Sequence, residues 1–310
     1  MTSINTNVAA MTALLTLSQT TKALSGTQDS ISTGLRVSDA SDNAAYWSIA
    51  TTMRSDNAAL STVLDALALS AINDVAYTGT NSAIKVVDQI KSKLVAARQP
   101  GIDRNKIQSE IDELQVQLRG IADSATFSGE NWLSVDSGAP DYNPLKTIVA
   151  SFARVGGNIT IGTISIDIDT TKVFDANDQS GILDTQSTTT NGGVAYSVAG
   201  AADALDISTL TDTDADLADL EEIIATVDGA IAAMTNSATV LGAANARIST
   251  QKEFITGLMS AISRGISQLV DADMNEESTK LQALQVKQQL GVQALGIANA
   301  SSQTVLRLFS

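Results

Sequence analysis

The sequence predicts a mainly α-helical chain, in which both chain ends form a long antiparallel, coiled-coil-like rod around a small central β-rich insert. Three observations support this fold class. Apolar residues recur at alternating spacings of three and four over both ends of the chain. All three prolines lie between residues 100 and 144, which leaves both ends free of this helix breaker. Residues 146 to 174 instead alternate β-branched with polar residues, which is typical of half-exposed strands.

The C-terminal arm carries the longest helical signal. Apolar residues form one heptad seam from Leu220 to Leu269 and, after a one-residue phase shift, a second seam from Val270 to Phe309. Heptads sustained over this length predict coiled-coil-like packing. At ~1.5 Å per residue, about 90 helical residues would extend ~135 Å, which exceeds a compact domain and predicts a rod.

The N-terminal arm contains further helical segments. Its first seam runs from Leu14 to Leu35, and its second runs from Ile49 to Leu67. A shorter helix carries Ile107 to Ile121, and Pro100-Gly101 separates it from the helix before it. A connection this short favours an antiparallel pair of helices.

The middle of the chain is acidic and changes its period. Residues 136 to 220 carry 13 acidic residues and only three basic ones. Gly156-Gly157-Asn158 predicts a hairpin turn between strands over Thr147–Val155 and Asn158–Ile168. From Asp175 to Asp219 the composition is rich in Ser, Thr, Asp, Asn and Gly, and it predicts a small, well-hydrated β element with long loops.

Composition excludes several kinds of chemistry. The chain has no cysteine and no histidine, which rules out disulfides, thiolate metal sites and Ser-His or Cys-His catalysis. A formal net charge of −15 disfavours nucleic acid and an anionic membrane surface as partners. No window approaches 18 uninterrupted apolar residues, so no transmembrane helix is expected. The sequence predicts no catalytic residues, cofactor or metal. Ser82-Ala-Ile-Lys85 fits a Ser/Lys-type hydrolase motif, but the accompanying elements are missing or out of order.

Both chain ends are unusually poor in charge. Residues 1 to 35 contain only Lys22 and Asp29, and residues 288 to 306 contain no charged residue. A helix with so little charge around its circumference is normally buried on several sides. No nearby part of the chain looks able to cover these ends, so we expect them to be buried between copies of the protein.

Several separate blocks of sequence resemble bacterial flagellins. Residues 3–10 read Ser-Ile-Asn-Thr-Asn-Val-Ala-Ala, residues 32–36 read Ser-Thr-Gly-Leu-Arg, and residues 42–45 read Asp-Asn-Ala-Ala. Residues 107–133 resemble the second block of the family, and the last forty residues resemble its C-terminal helix. The agreement of independent blocks in the right order makes the resemblance specific.

The resemblance implies a subunit that polymerises into the flagellar filament, the extracellular propeller of swimming bacteria. Its partners would be itself and sister flagellins, the flagellar export apparatus, an export chaperone, the filament cap and the hook-junction proteins. Secretion through the flagellum's own channel would explain why Met1 to Leu17 does not resemble a Sec signal peptide. In such proteins the terminal helices fold during polymerisation, which suits two charge-poor arms.

The resemblance also implies a division of the chain and a set of contacts. The N-terminal inner-tube helix covers residues 1–38, and the N-terminal half of the rod domain, with a hairpin at its end, covers residues 39–135. The acidic β-rich outer insert covers residues 136–215. The C-terminal half of the rod domain covers residues 216–270, and the C-terminal inner-tube helix covers residues 271–310. The self-assembly residues expected to pack together across the two ends are Leu14, Leu17, Leu24, Ile31 and Leu35 with Leu281, Leu284, Leu295, Val305 and Phe309.

Two segments depart from the family pattern where immune receptors bind flagellins. In the segment that plant receptors recognise, the altered residues are Asp39, Ser41, Asn43 and Tyr46. In the region that animal receptors bind, the usual Arg-Glu-Leu aligns with Ser92, Lys93 and Leu94, which replaces the Arg and inverts the Glu charge. The sequence therefore predicts weak recognition by both receptor types.

Two alternative functions remain at this point. A hook–filament junction protein shares the terminal helices and the export route, although the close agreement in the second block favours the main filament. A Ser/Lys-type hydrolase would require a reactive Lys85 beside Ser82.

Overall fold

The computed structural model describes residues 7–193, 195–200 and 204–308, and for residues 301–308 it describes the backbone alone. Over these ranges the chain forms six α-helices, which are α1 (Val8–Thr33), α2 (Ala40–Ala68), α3 (Ala71–Ala97), α4 (Arg104–Ser124), α5 (Asp214–Val270) and α6 (Met274–Leu308). The predicted fold class is confirmed, because long helices occupy both ends and short strands occupy the centre.

The strands lie between α4 and α5 and form four two-stranded sheets. They are β1 (Thr126–Phe127), β2 (Glu130–Asn131), β3 (Ser134–Val135), β4 (Leu145–Val155), β5 (Asn158–Asp167), β6 (Phe174–Asp175), β7 (Ser187–Thr188) and β8 (Ala195–Tyr196). Strands β3 and β6 pair in parallel, and a short 3₁₀ helix, Ile168–Thr170, follows β5.

The chain groups into two compact units. The first unit comprises Met1–Ala58 with Leu258–Ser310, and the second comprises Ala59–Gly257. The five-part division drawn from the sequence remains a prediction.

In the first unit, two helix breaks lie side by side. Gly34 ends α1 in the left-handed conformation (φ 72°), which glycine adopts without a steric penalty. The carbonyl of Gly34 accepts a hydrogen bond from the backbone N–H of Ala272 (2.9 Å), and the Val270 carbonyl accepts one from Arg36 (2.7 Å). The one-residue phase shift in the heptads falls where α5 ends, at Val270, so the shift marked a real break.

In the second unit, α3 and α4 form the antiparallel pair that Pro100-Gly101 predicted. Their mutual core is fully buried and includes Ile90, Leu94, Ile111 and Leu118. Helix α5 is tied to α3 by a buried hydrogen bond from the Asn73 side chain to the carbonyl of Leu241 (2.9 Å).

Strands β4 and β5 form the predicted hairpin. Val155 pairs with Asn158, and Gly156 and Gly157 both have positive φ (59° and 88°). Two consecutive residues with positive φ are typical of the tight turn that matches strand twist. Near its base the hairpin buries Ala150, Ile164 and Ile166, whereas its distal half is exposed.

The acidic insert folds against α4 through a row of polar side chains. Gln115 donates to the carbonyl of Val198 (3.0 Å), and Gln108 donates to the carbonyl of Leu205 (2.9 Å). Arg104, at the start of α4, donates to the carbonyl of Leu210 (3.1 Å) and is largely buried. The segment is therefore less hydrated than its composition predicted, because backbone carbonyls of its loops are satisfied by α4.

A buried ion pair stabilises the insert. The Lys172 ammonium donates to the Asp175 carboxylate (2.8 Å), which is enclosed. Burial alone would raise the pKa of Asp175, but the hydrogen bonds from Lys172 and from the backbone N–H groups of Ser137 and Asn177 outweigh it and lower that pKa. Burial raises the pKa of the neighbouring Asp184.

Two helical stretches of the described chain, Ala40–Ala97 and Asp214–Val270, are long and apolar enough to cross a membrane. The sequence predicted no transmembrane helix, because no window approaches 18 uninterrupted apolar residues. Buried core helices of proteins outside membranes also have this length and composition.

Candidate assembly surface

Helices α1 and α6 pack against each other within the first unit. Asn7 caps the start of α1, where its side-chain oxygen accepts the N–H of Ala10 (3.0 Å), and its side-chain nitrogen donates to the carbonyl of Ala298 on α6 (3.0 Å). Gly291 of α6 lies close to Leu17, since a Cβ at Gly291 would stand 3.3 Å from the Leu17 Cδ1. The residue that caps α1 therefore also binds α6, and the two helices approach closely where Gly291 meets Leu17.

Six of the ten self-assembly residues are half-buried on these two helices, namely Leu17, Leu24, Ile31, Leu281, Leu284 and Leu295. Leu14 is more than half exposed. Leu35 lies beyond the end of α1 and packs on the buried cluster of Val37, Ala50 and Val270. Val305 belongs to α6, but its side chain lies outside the described set, as does the whole of Phe309.

The outer side of the pair is apolar as well. Val8 (67% exposed), Met11 and Leu15 follow one another on α1 at helical spacings of three and four. On α6, Val286, Leu290 (58% exposed) and Ile297 (71% exposed) share one stripe. We call these six residues the terminal apolar stripe.

The sequence predicted the six half-buried residues Leu17, Leu24, Ile31, Leu281, Leu284 and Leu295, which we call the inward seam, but it did not predict the terminal apolar stripe. A heptad pattern picks out positions that face one neighbour, so apolar residues at the other positions lie outside it. The signal that could have located it was present in the same helices, where apolar side chains continue around a circumference with hardly any charge.

The two segments that depart from the family pattern are largely accessible. Asp39 and Asn43 turn their side-chain oxygens onto the backbone N–H groups at the start of α2, and Tyr46 is exposed. On α3, Lys93 forms an ion pair with Glu110, whereas Leu94 is fully buried. Of the second segment, only Ser92 and Lys93 are available to a partner that binds the folded chain.

Comparison with known proteins identifies the family. Residues 4–137 match the family model of the bacterial flagellin N-terminal helical region, and residues 224–309 match that of the C-terminal helical region. The chain belongs to the bacterial flagellins. Together the two matches cover more than half of the chain, and they include both helices that form the pair.

Full-length relatives agree with this assignment. The chain is 49% identical to flagellin C of Rhizobium meliloti strain 1021, over 100% of this chain and 99% of that protein. It is 40% identical to flagellin A of the same strain, with both chains covered completely. It is 42% identical to a flagellin of Brucella melitensis, over 100% of this chain and 99% of that protein.

This flagellin is a structural subunit of the extracellular flagellar filament, where flagellins polymerise with sister flagellins for motility, and it is not an enzyme. Neither the junction protein nor the hydrolase is favoured. The Ser82 hydroxyl donates to the carbonyl of Thr78 one turn earlier (2.9 Å), a contact typical of a helix surface.

Proposed function

We propose that this flagellin polymerises through the α1–α6 pair, with the inward seam holding the pair together and the terminal apolar stripe packing against neighbouring copies. The observation that carries this proposal is an exposed apolar surface on α1 and α6, in a part of the chain where residues 1–35 hold two charged side chains and residues 288–306 hold none. Burying one such side chain contributes about 1.5 to 3 kcal/mol, so a stripe repeated in every subunit can stabilise a long polymer.

Leu290→Asp tests the stripe, with Leu290→Met as the matched control. Leu290 is exposed in the single chain, so neither change should unfold the monomer. We expect Leu290→Asp to abolish filaments, because polymerisation would bury a carboxylate, and Leu290→Met to polymerise normally. Sedimentation of polymer from monomer, with circular dichroism of both monomers, measures the difference. Normal filaments from Leu290→Asp would contradict the proposal.

The proposal also covers how the subunit is exported and which other flagellar proteins it contacts. We infer export through the flagellum's own apparatus with a chaperone, and contact with the filament cap and hook-junction proteins. The support is the membership of the flagellin family. Retention of the protein inside cells that lack the export apparatus is the expected result, and its normal secretion from them would refute this route.

We also propose weak recognition by immune receptors, supported by the changed charges at Ser41, Ser92 and Lys93. Restoring the family pattern with Ser92→Arg and Lys93→Glu should increase the response of animal reporter cells to purified monomer. The changes Asp39→Ser, Ser41→Lys, Asn43→Asp and Tyr46→Gly should do so for plant cells. A strong response to the unchanged monomer would contradict the proposal.

A further inference from the structure

The distal half of the β4–β5 hairpin is an exposed apolar surface. Val155 is 71% exposed, Ile161 is 63% exposed, and Ile159 is similar. Residues 150–162 carry one charge, the cationic Arg154, in a chain whose net charge is −15. We call residues 152–161 the hairpin tip. It differs from the hairpin base, which buries Ala150 and Ile164 within the same unit.

A groove of about 750 Å³ lies open between α3 and α4 of the same unit. Small residues, including Gly79, Ser82, Gly120 and Ser124, form much of its lining, and Ile121 contributes an apolar wall. At Gly120 an added Cβ would meet nothing within 4 Å, so this side of the groove is unfilled.

The groove is lined by one charged residue, Asp74. Gln117 lines both this groove and a second depression, which contains Glu113, the largely exposed Val116, and Lys93 in an ion pair with Glu110. The groove therefore combines a largely apolar lining with one carboxylate, whose charge is opposite to that of Arg154 at the hairpin tip.

We propose that the hairpin tip of one copy docks in the α3–α4 groove of a second copy, with Arg154 facing Asp74 or Glu113. The proposal rests on the chain being a filament subunit, and it names a contact separate from the terminal apolar stripe. The tip and the groove are different surfaces of one chain. Contacts between two different surfaces propagate head to tail, and they generate open helical polymers when the rotation does not close a ring.

Cross-linking tests this contact directly, because the chain has no cysteine of its own. One variant carries Ile159→Cys and a second carries Gly120→Cys, both at exposed positions. The two are mixed, polymerised with an excess of unchanged protein, and treated with a short bis-maleimide reagent. The control pair combines Ile159→Cys with Asn236→Cys, which is exposed on α5.

We expect cross-linked dimers of Ile159→Cys with Gly120→Cys in filaments, at least tenfold more than in monomer solution and than with the control pair. Filaments that give no such dimer, or equal dimer from the control pair, would overturn the docking while leaving the filament function intact. Dimers formed by Ile159→Cys alone would overturn it in favour of contacts between two tips. Failure of the unchanged protein to form filaments would instead contradict the function itself.

Discussion

Asp175 carries a carboxylate that the fold encloses almost completely. Its carboxylate accepts hydrogen bonds from Lys172, Ser137 and Ser180, so its ionised form is stabilised in the folded chain. Because this lowers its pKa below the value of the unfolded chain, the folded state binds fewer protons. The stability that Asp175 contributes is therefore present above about pH 4 and is lost as the pH falls further.

Asp175→Asn should lower the free energy of unfolding of the second unit by about 3 kcal/mol at pH 7, because it removes one partner of a buried ion pair. It should also flatten the loss of stability below pH 4, since the titrating group is gone. Thermal unfolding of the monomer between pH 7 and pH 2.5 measures both effects. Asp178→Asn makes the same chemical change at an exposed position and should have little effect. Equal destabilisation by both changes would contradict this account.

The sequence could not reveal this pair as buried. Lys172 and Asp175 stand close in a segment rich in polar residues, and their spacing is equally compatible with exposed side chains. Their burial depends on the parallel pairing of β3 with β6, which brings Val135 beside Asp175 and is a long-range contact that no local pattern encodes.

At the scale of elements, α4 holds the loops of the insert. Arg104 donates to the carbonyl of Ala97 (3.1 Å), the carbonyl of Leu210 (3.1 Å) and the Asp212 carboxylate (2.7 Å), with its guanidinium fork largely buried. Arg104→Met keeps the length of the side chain and removes all three bonds. We expect it to destabilise the unit by about 2 to 4 kcal/mol, because two carbonyls lose their donor.

Hydrogen exchange of the backbone distinguishes this effect from general unfolding. Exchange should accelerate most at Ile207 and Leu210, whereas the core of α3 around Ile90 should stay protected. Arg119→Met is a useful comparison, since Arg119 also donates to a loop carbonyl, that of Ala199 (2.8 Å), but farther along α4. If Arg104→Met left exchange near Leu210 unchanged, α4 would not hold these loops as described.

The α1–α6 pair gives a second prediction at this scale. Leu24→Asp or Leu284→Asp places a carboxylate in the inward seam, where both side chains are half-buried. Each should abolish filaments while the second unit of the secreted monomer stays folded, because that unit has its own core. Electron microscopy and limited proteolysis of the secreted protein measure the two outcomes. Filaments of normal length from either variant would refute the role of the seam.

The sequence predicted several helices and the hairpin better than it predicted the contacts of their side chains. The phase shift in the heptads coincides with the end of α5 at Val270, although the heptads alone predicted about 90 helical residues without a break. The α3–α4 pair and the β4–β5 hairpin followed from periodicity and turn residues, which are local signals. The row of Gln108 and Gln115 on α4 did not, because polar residues on a helix suggest a solvated face. Their partners are loop carbonyls about 90 residues away in the chain.

At the scale of the whole molecule, charge is distributed unevenly between the chain ends and the insert. The chain ends have almost no charge, and the insert carries most of the net −15. Low charge indicated burial of the ends between copies, but a single sequence cannot say which stripe a neighbour covers. The exposure of Val8, Met11 and Leu15 on the outer side of α1 supplies that information.

An electron cryomicroscopy reconstruction of filaments sheared from cells is the most direct test of the central claim, that the α1–α6 pair is buried between copies of this flagellin. We predict that α1 and α6 line the inner tube, with Leu15 and Leu290 covered by neighbouring subunits. A filament in which Leu15 and Leu290 face solvent, or in which the α1–α6 pair lies on the outer surface, would contradict this account.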